Sequence, residues 1–418
     1  MFWWVVAAAM VLATNSARRD NNDAAVVFTV YASDTGDHPS LTIPVNVGSN
    51  AQAYRWGLSL SQSGLFVVDP SIQCLDGKNK APCHQLPDTG YSYSPSTSLT
   101  FSKQEKFNQG PFKGTWARDK FTIEDQVYHD FPLAVLKQIP DDFVPAFGLG
   151  PASTAGKNNY PGPSVSDNNT VLGNLKQRSV ISRQMFSLSA DDNPDINGSA
   201  SANWTLILGG VDLARVESSF VRLPLEVSDD VYSVLNGVDI SDTPILAKAY
   251  KLSLCYQCRS HWPLDAYSAV VAAVSRYTNL ASDGSFACAD IVNVTMKLDF
   301  GGVEMPMALS AVLATNDPQT CQVRLDSSSS AIALGLSVWR YLITVIDYET
   351  SIFAVAKTNF TRSSRRIGAN IPSLIEGNVP LVKGFAPGSR RESAGHTRLM
   401  PSFVSFGSWL LLVVLLVS

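Results

Sequence analysis

The stretch GSNAQAYRWGLSLSQSGLFV, residues 48–67, decides the fold of this chain. Apolar and aromatic side chains from residue 54 onwards predict a β-strand over residues 54–68. The tripeptide at the centre, Leu58-Ser59-Leu60, returns as Leu252-Ser253-Leu254 in the second half of the chain. Each copy is followed far downstream by an apolar run that contains glycine. This internal repeat predicts two related lobes.

Strand patterns dominate the rest of the 418-residue chain. Short apolar or alternating stretches, separated by Gly, Pro, Asn and Asp, predict strands at 26–31, 41–47, 121–128, 204–209 and 341–356. Helical spacing of Ala, Val and Tyr predicts a helix at 264–280. Residues 151–170, rich in Pro, Gly, Ser and Asn, read as a long surface insertion. The fold class is therefore all-β or β-dominated with a few short helices.

The ordered series of motifs resembles the pepsin-like aspartic proteases. The family's first active-site strand is written G-T-P-P-Q-x-F-x-V-x-L-D-T-G-S-S-x-L-W-V, and residues 48–67 align with it without a gap. Residues 206–212 resemble the family's strand at the lobe junction, and residues 334–347 resemble its C-terminal ending. The resemblance implies a bilobal pepsin-like fold, with an N-terminal lobe at 25–212 and a C-terminal lobe at 213–358.

The catalytic residues of that family are missing from the aligned positions. The first catalytic aspartate falls on Ser59. The second falls on Leu254 in an ungapped alignment and on Ser253 with one gap, and no Asp or Glu lies between residues 250 and 261. An aspartic protease activates water with two carboxylates that share one proton. A serine hydroxyl has too high a pKa to deprotonate water, so we expect a pseudoprotease.

Three acidic tripeptides imitate the catalytic motif. Asp34-Thr35-Gly36 and Asp88-Thr89-Gly90 have the same sequence as the family's catalytic Asp-Thr-Gly tripeptide, and Asp326 is followed by two serines. None of the three follows the buried strand that precedes the family's catalytic aspartate. Asp and Gly are common in turns for backbone reasons, and we interpret the first two tripeptides as turns.

The flap of the family is also altered. Its tyrosine falls on Phe107, shortly before Gly110, so the hydroxyl is lost while an aromatic lid over the groove is retained. The region 18–40 is too short, and too poor in Lys, for the basic pro-segment that typically masks the catalytic pair. Both features favour a protein with no activity to mask.

Six cysteines in a chain with secretion signals favour disulfides. The resemblance implies one disulfide in each lobe, Cys74–Cys83 and Cys288–Cys321. Cys255 and Cys258 occupy the loop where the second catalytic motif belongs, and we interpret them as a structural disulfide that rigidifies this loop. A redox pair, free thiols and a metal site that includes His261 are the alternatives, although no fourth metal ligand is evident. We expect neither a metal nor a cofactor.

The N-terminus and the sequons indicate the secretory pathway. Residues 2–12 form an apolar run before small residues, which predicts a signal peptide at 1–17. Five N-x-S/T sequons are candidate glycosylation sites: Asn168, Asn197, Asn203, Asn293 and Asn359.

The C-terminus reads as a membrane attachment signal. Residues 403–417 are nearly all apolar but fall short of the about 20 residues that span a bilayer. With small residues at Ser393 and a polar spacer, they predict a GPI-attachment tail at 396–418, with Gly388 beginning a second candidate site. A single tail-anchored helix is the alternative. The preceding segment, 359–395, reads as a disordered stalk.

Composition excludes one class of partner. Charged residues make up 16% of the chain, against roughly 25% in typical soluble domains. The net charge of −4 gives no basic footprint for nucleic acid. The expected partners are a peptide or protein ligand in the interlobe groove, the membrane through a lipid anchor, and cell-wall polymer.

The leading hypothesis is a GPI-anchored surface protein that binds a peptide or wall ligand in a pepsin-like groove without cutting it. The first alternative is an active acid endopeptidase that uses carboxylates not located in the sequence. The second is an inhibitor or adhesion module that acts through its outer surface.

Overall fold

The computed structural model describes the chain in fifteen stretches, and all structural statements concern these residues. They are 24–33, 40–76, 79–81, 96–109, 112–140, 144–152, 165–191, 203–228, 230–246, 248–256, 260–313, 319–325, 330–361, 365–369 and 374–376. The predicted signal peptide and GPI tail lie outside them.

Strands make up most of both halves. The first half has β1 (Val26–Ser33), β2 (Ser40–Val47), β3 (Gln52–Ser59), β4 (Phe66–Asp76), β5 (Asn79–Ala81), β6 (Thr100–Gln109), β7 (Phe112–Ile123), β8 (Gln126–Pro140), β9 (Phe147–Gly148), α1 (Val171–Gln177), β10 (Met185–Ala190), β11 (Asn203–Leu208) and β12 (Val211–Asp212). The second half has β13 (Phe220–Pro224), β14 (Glu226–Val227), β15 (Val231–Leu235), β16 (Gly237–Ile240), β17 (Thr243–Leu246), β18 (Tyr250–Ser253), α2 (Leu264–Val274), β19 (Ser285–Ala287), β20 (Thr295–Phe300), β21 (Val303–Ala308), α3 (Leu309–Leu313), β22 (Thr320–Gln322), β23 (Ala331–Ala333), α4 (Leu336–Trp339), β24 (Leu342–Asp347), β25 (Ile352–Lys357), β26 (Ile367–Gly368) and β27 (Leu374–Glu376).

One large sheet joins the two halves of the chain. Its strand order is β27-β13-β25-β24-β10-β11-β1-β2-β7-β8-β4-β5, so β24 from the second half pairs with β10 from the first. Every residue of β10 and of β24 is buried. Both strands are therefore shielded from solvent on both faces of the sheet.

The second half also builds smaller sheets in which one face is buried. In β20 the side chains of Met296, Leu298 and Phe300 are buried, while those between them are more exposed. This alternation is the expected result of a strand whose successive side chains point to opposite faces. One such sheet, β14-β15-β18-β23, carries the second Leu-Ser-Leu motif.

Three predicted strands are wrong in their extent. The strand at 54–68 is interrupted, because β3 ends at Ser59 and β4 begins at Phe66. The stretches 121–128 and 341–356 each contain a hairpin turn, with Glu124 at φ +49° and Ser351 at φ +53°. Polar residues interrupt the apolar pattern at both turns, Glu124-Asp125 in the first and Glu349-Thr350-Ser351 in the second, so the sequence carries a signal for each turn. The helix at 264–280 is present but ends at Val274.

Part of the predicted stalk and part of the predicted insertion are folded. Within 359–395, β26 pairs with β12, and β27 pairs in parallel with β13 and forms the edge of the large sheet. Within 151–170, residues 167–169 form a 3-10 helix that leads into α1. In both places backbone pairing stabilises segments whose small and polar composition is typical of loops.

The disulfide Cys288–Cys321 is present, as predicted, and closes a loop across 33 positions. Removing a crosslink of this span enlarges the conformational entropy of the unfolded chain. We expect the double variant C288A/C321A to lower the free energy of unfolding by about 3–4 kcal/mol. Urea unfolding of the variant and the parent protein measures the difference. A change below about 1 kcal/mol would contradict this role.

No helix in the described stretches is long and apolar enough to cross a membrane.

Candidate functional site

The first Leu-Ser-Leu motif ends a strand that pairs in parallel with a short downstream strand. Ser59 of β3 lies opposite Gly148 of β9, and the backbone N–H of Leu149 donates to the carbonyl of Ser59 at 2.8 Å. A Cβ atom at position 148 would lie 2.6 Å from the backbone oxygens of Gln62 and Gly64. Glycine is therefore required there, and the loop that follows Ser59 is held tightly against β9.

The second motif has the same arrangement. Ser253 of β18 lies opposite Ala333 of β23, again in parallel. The backbone N–H of Ala333 donates to the carbonyl of His261 at 3.1 Å, just as Gly148 donates to Gly64 at 3.2 Å. Matched by these hydrogen bonds, Ser253 corresponds to Ser59; matched by the isolated bridges Leu65–Phe147 and His261–Ala333, Leu254 does. Neither residue is acidic.

The loops that follow the two serines differ in length. Gly64 comes five positions after Ser59, whereas His261 comes eight positions after Ser253. The three additional residues fall in the segment that carries Cys255 and Cys258.

The hydroxyl of Ser59 is held by its own loop. Its Oγ lies 3.1 Å from the Oγ of Ser61 and accepts a hydrogen bond from the backbone N–H of Gln62 at 3.2 Å. The Gln62 side chain donates to the carbonyl of Val144 at 2.8 Å and accepts from the N–H of Ala146 at 3.1 Å. Gln62 therefore fixes the loop to the segment that leads into β9. None of these contacts of Ser59 involves a carboxylate.

Ser253 contacts a carboxylate that the sequence did not single out. Its Oγ donates to Oδ2 of Asp230 at 3.2 Å, and Oδ1 of Asp230 accepts from the N–H of Val231 at 2.8 Å. Asp230 lies in the turn between β14 and β15, and β15 pairs with β18 so that Tyr232 lies opposite Ser253. Only this pairing brings Asp230 to the site, since 23 positions separate it from Ser253.

A buried ion pair lies on the same face of this sheet. The ammonium group of Lys251 lies 2.9 Å from Oε1 of Glu226 and 3.8 Å from the centre of the Tyr232 ring. The side chains of Lys251 and Glu226 are 14% and 8% exposed. Removing one partner would leave a buried charge without compensation. The pair therefore fixes the strands beside Ser253.

Apolar side chains fill the space below both loops. Leu60 and Leu254, which follow the two serines, are buried. Tyr256 is also buried: its hydroxyl lies 2.7 Å from Oγ1 of Thr344 on β24, and its ring packs edge-on against Trp339. Burial raises the pKa of the Tyr256 hydroxyl, which therefore stays protonated. The lengthened loop is thus anchored in the central sheet.

The other predicted site residues are described only in part. The backbone of Phe107 pairs with Gly114 across the β6–β7 hairpin, which agrees with a flap hairpin. Gly110 and the three acidic tripeptides that begin at Asp34, Asp88 and Asp326 lie outside the described residues.

Two more cysteines are bonded. Cys74 and Cys255 both form disulfides, which excludes a free thiol at Cys255. Their predicted partners, Cys83 and Cys258, lie outside the described residues. Within the described stretches there is no group of three or more His, Cys, Asp or Glu residues suited to a metal ion.

The sequons differ in accessibility. Asn168, Asn203 and Asn293 have exposed side chains, and Asn359 is half-buried. Oδ1 of Asn359 accepts from both the N–H and the hydroxyl of Thr361. Asn197 and the predicted GPI-attachment residue Ser393 lie outside the described residues.

Two parallel-paired loops, repeated in the two halves and joined by a central sheet, define the class of bilobal pepsin-like folds. The chain belongs to the family of eukaryotic aspartyl proteases, whose model matches residues 41–358. The predicted fold class is confirmed by this match and by the dominance of strands.

The relatives are secreted fungal proteases. The chain is 25% identical to secreted aspartic protease 8 of Candida albicans over 364 residues, which covers 80% of each chain. It is 23% identical to candidapepsin-3 of Candida albicans, covering 80% of this chain and 84% of the relative. The crystal structure of the aspartic proteinase from Irpex lacteus has the same fold, with a TM-score of 0.57, 17% identity, and coverage of 82% of this chain and 100% of that one.

Proposed function

We propose that this chain is a catalytically inactive member of the family that binds an extended peptide or wall ligand in the groove between its lobes. The observation that carries the proposal is that Ser59 and Ser253 are the last paired residues of two strands that each pair in parallel with a short downstream strand. The resemblance to the family implies an aspartate at the end of each such strand, and the ends of these two strands carry Ser59, Ser253 and Leu254 instead.

The chemistry of a serine hydroxyl supports the absence of protease activity. Hydrolysis by this family needs one carboxylate to take a proton from water and a second to donate one. The hydroxyl of Ser59 hydrogen-bonds only to Ser61 and Gln62 among the described residues. A hydroxyl at that position can hold a water molecule but cannot remove its proton near pH 4. In the family an extended peptide pairs with backbone groups of the interlobe groove, and the proposal assigns this mode of binding to the present chain.

Asp230 supports a second candidate, an active endopeptidase. Its carboxylate lies 3.2 Å from the Ser253 hydroxyl, so one acid group is present at the second position. The mechanism requires another carboxylate facing it. The contacts of Ser59 supply none within the described residues, and we therefore place this function second.

The proposed location is the outer face of the plasma membrane or the cell wall, reached by secretion and held by a GPI anchor. Support comes from the apolar C-terminal run with small residues at Ser393. Two of the relatives described above, from Candida, carry names that describe secreted proteases or candidapepsins. Release of the native protein from membranes by a phosphatidylinositol-specific phospholipase tests the anchor.

We expect the purified protein to leave an acid-denatured substrate protein intact between about pH 3 and 6. A single carboxylate cannot act as base toward water while a second acid group is missing. Mass spectrometry of the substrate, with and without pepstatin, measures cleavage. A secreted Candida protease in the same buffers is the positive control. Pepstatin-sensitive cleavage that disappears in the Asp230→Asn variant would establish the second candidate instead.

Ligand binding is tested separately. The immobilised protein is exposed to a digest of the same substrate, and retained peptides are eluted and identified. The proposal requires enrichment of extended peptides over the input. Equal retention by the heat-unfolded protein would show that the binding does not depend on the groove.

A further inference from the structure

The sheet that carries Ser253 has one apolar face and one polar face. Its strand order is β14-β15-β18-β23. Leu252 and Ile332 lie opposite each other on β18 and β23, and both are fully buried. Successive side chains of a strand point to opposite faces, so Lys251 and Ser253 share the other face. Tyr232 lies opposite Ser253 on β15 and belongs to that polar face too.

Contacts gather polar side chains around this face into one cluster. Nζ of Lys251 lies 2.9 Å from Oε1 of Glu226 and 3.8 Å from the centre of the Tyr232 ring. Oγ of Ser253 donates to Oδ2 of Asp230 at 3.2 Å. Lys251, Tyr232 and Asp230 are half-buried, so a part of each is open to solvent. A ligand at the second serine loop would therefore meet this cluster.

The cluster can offer a ligand one hydrogen-bond donor and one acceptor. The Lys251 ammonium has three N–H groups, and Glu226 is its one hydrogen-bond partner within the described stretches. The Ser253 hydroxyl directs its proton at Asp230, so its oxygen can still accept. The Cα atoms of Lys251 and Ser253 are two positions apart on one strand, about 6.6 Å. A small planar group that both accepts and donates can therefore bridge the two side chains.

The charges of the cluster disfavour an ionised ligand group. One ammonium and two carboxylates lie in it, those of Lys251, Glu226 and Asp230. A ligand carboxylate at the ammonium would lie near both acidic side chains, and a ligand cation at Asp230 would lie near the ammonium. Like charges repel strongly where little water screens them. An aliphatic group would cover the remaining donor and acceptor without bonding to them, which costs free energy.

We propose that the groove beside Ser253 takes the side chain of a glutamine or asparagine from an extended peptide. A primary amide has no charge and carries an acceptor and two N–H donors. Its carbonyl oxygen accepts from Nζ of Lys251, and its N–H donates to Oγ of Ser253. Lys251 thereby determines the specificity of the groove at this position. The assignment rests on the proposed function and adds the class of peptide that the groove selects.

A library of capped octapeptides, randomised at every position, tests the assignment. The immobilised protein is exposed to the library, and the retained peptides are eluted and sequenced by mass spectrometry. We expect Gln or Asn to be enriched at one position at least about 10-fold over Leu, Glu and Lys, because the amide alone satisfies both the donor and the acceptor.

Variants of the polar face identify where the amide binds. Lys251→Met alone would leave Glu226 buried without its cation, so the first variant is K251M/E226Q. The second is S253A, which removes the acceptor without changing a charge. K251M/E226Q should lose the amide enrichment and S253A should weaken it, while both still retain peptides through backbone pairing. K248M, which replaces an exposed lysine paired with Asp265, is the matched control and should keep the enrichment.

The outcomes separate this assignment from the proposed function. Failure to retain any library peptide overturns both. Retention without amide enrichment, or with acidic, basic or aliphatic side chains enriched in its place, overturns the assignment and leaves the proposed function standing. Amide enrichment that persists undiminished in both K251M/E226Q and S253A overturns the role of the polar face.

Discussion

Replacing Tyr256 by alanine should lower the free energy of unfolding by about 3–5 kcal/mol. The side chain is 3% exposed and packs against Trp339, with ring centres 6.0 Å apart. Its removal leaves a cavity between the lengthened loop and the central sheet, and it also removes the contact with Thr344. Guanidinium unfolding, followed by far-ultraviolet circular dichroism at neutral pH, measures the change.

Tyr256→Phe is the matched control, since it removes only the hydroxyl. Oγ1 of Thr344 still lies 3.4 Å from the carbonyl of Leu188, so it keeps an acceptor. We expect this variant to cost about 0.5–1.5 kcal/mol. If Y256A lowers the free energy of unfolding no more than Y256F does, the Tyr256 ring does not anchor the loop. The position of Ser253 would then depend on β18 alone.

The first half of the site could be predicted from sequence because its spacing is regular. Residues 48–67 match the family strand without a gap, so Ser59 falls at the catalytic position directly. The second half could not be settled in this way, because one gap in the alignment moves the catalytic position from Leu254 to Ser253. Both candidates lie at the end of β18, where Ser253 is paired with Ala333 of β23, and neither is acidic.

Asp230 shows a different limit of sequence reasoning. It reaches Ser253 through two antiparallel pairings, β14 with β15 and β15 with β18. Local patterns predict strands but not which strands become neighbours, so a contact of this kind has no local signal. The hairpins at 121–128 and 341–356 were missed for a different reason, since each stretch was interpreted as one strand across the polar residues of its turn.

Acid proteolysis should be recoverable from this scaffold by three substitutions, and two should not suffice. Ser59→Asp places a carboxylate where the N–H of Gln62, 3.2 Å from Ser59 Oγ, can donate to it. Ser253→Asp places a second carboxylate beside Asp230, whose Oδ2 lies 3.2 Å from Ser253 Oγ. Two carboxylates this close cannot both ionise, so one is protonated and its pKa rises. The proton is then shared between the carboxylate at position 253 and Asp230, and not between the carboxylates at positions 59 and 253 as the mechanism requires.

We therefore expect S59D/S253D to remain without measurable activity. Adding Asp230→Asn removes the competing carboxylate, and S59D/S253D/D230N should cleave a denatured protein at acid pH at least about 100-fold faster than the double variant. Cleavage by the triple variant should be abolished by pepstatin, which is measured by mass spectrometry of the substrate.

The pH dependence of stability provides the control for this explanation. In S59D/S253D the raised carboxyl pKa exceeds its value in the unfolded chain, so the folded state is favoured when that group is protonated and disfavoured once it ionises. The thermal midpoint of the double variant, relative to the parent protein, should therefore be lower at pH 7 than at pH 4, and D230N should remove this difference. A folded triple variant that stays inactive would assign the loss of catalysis to the lengthened loop after Ser253. Activity already in the double variant would exclude any interference from Asp230.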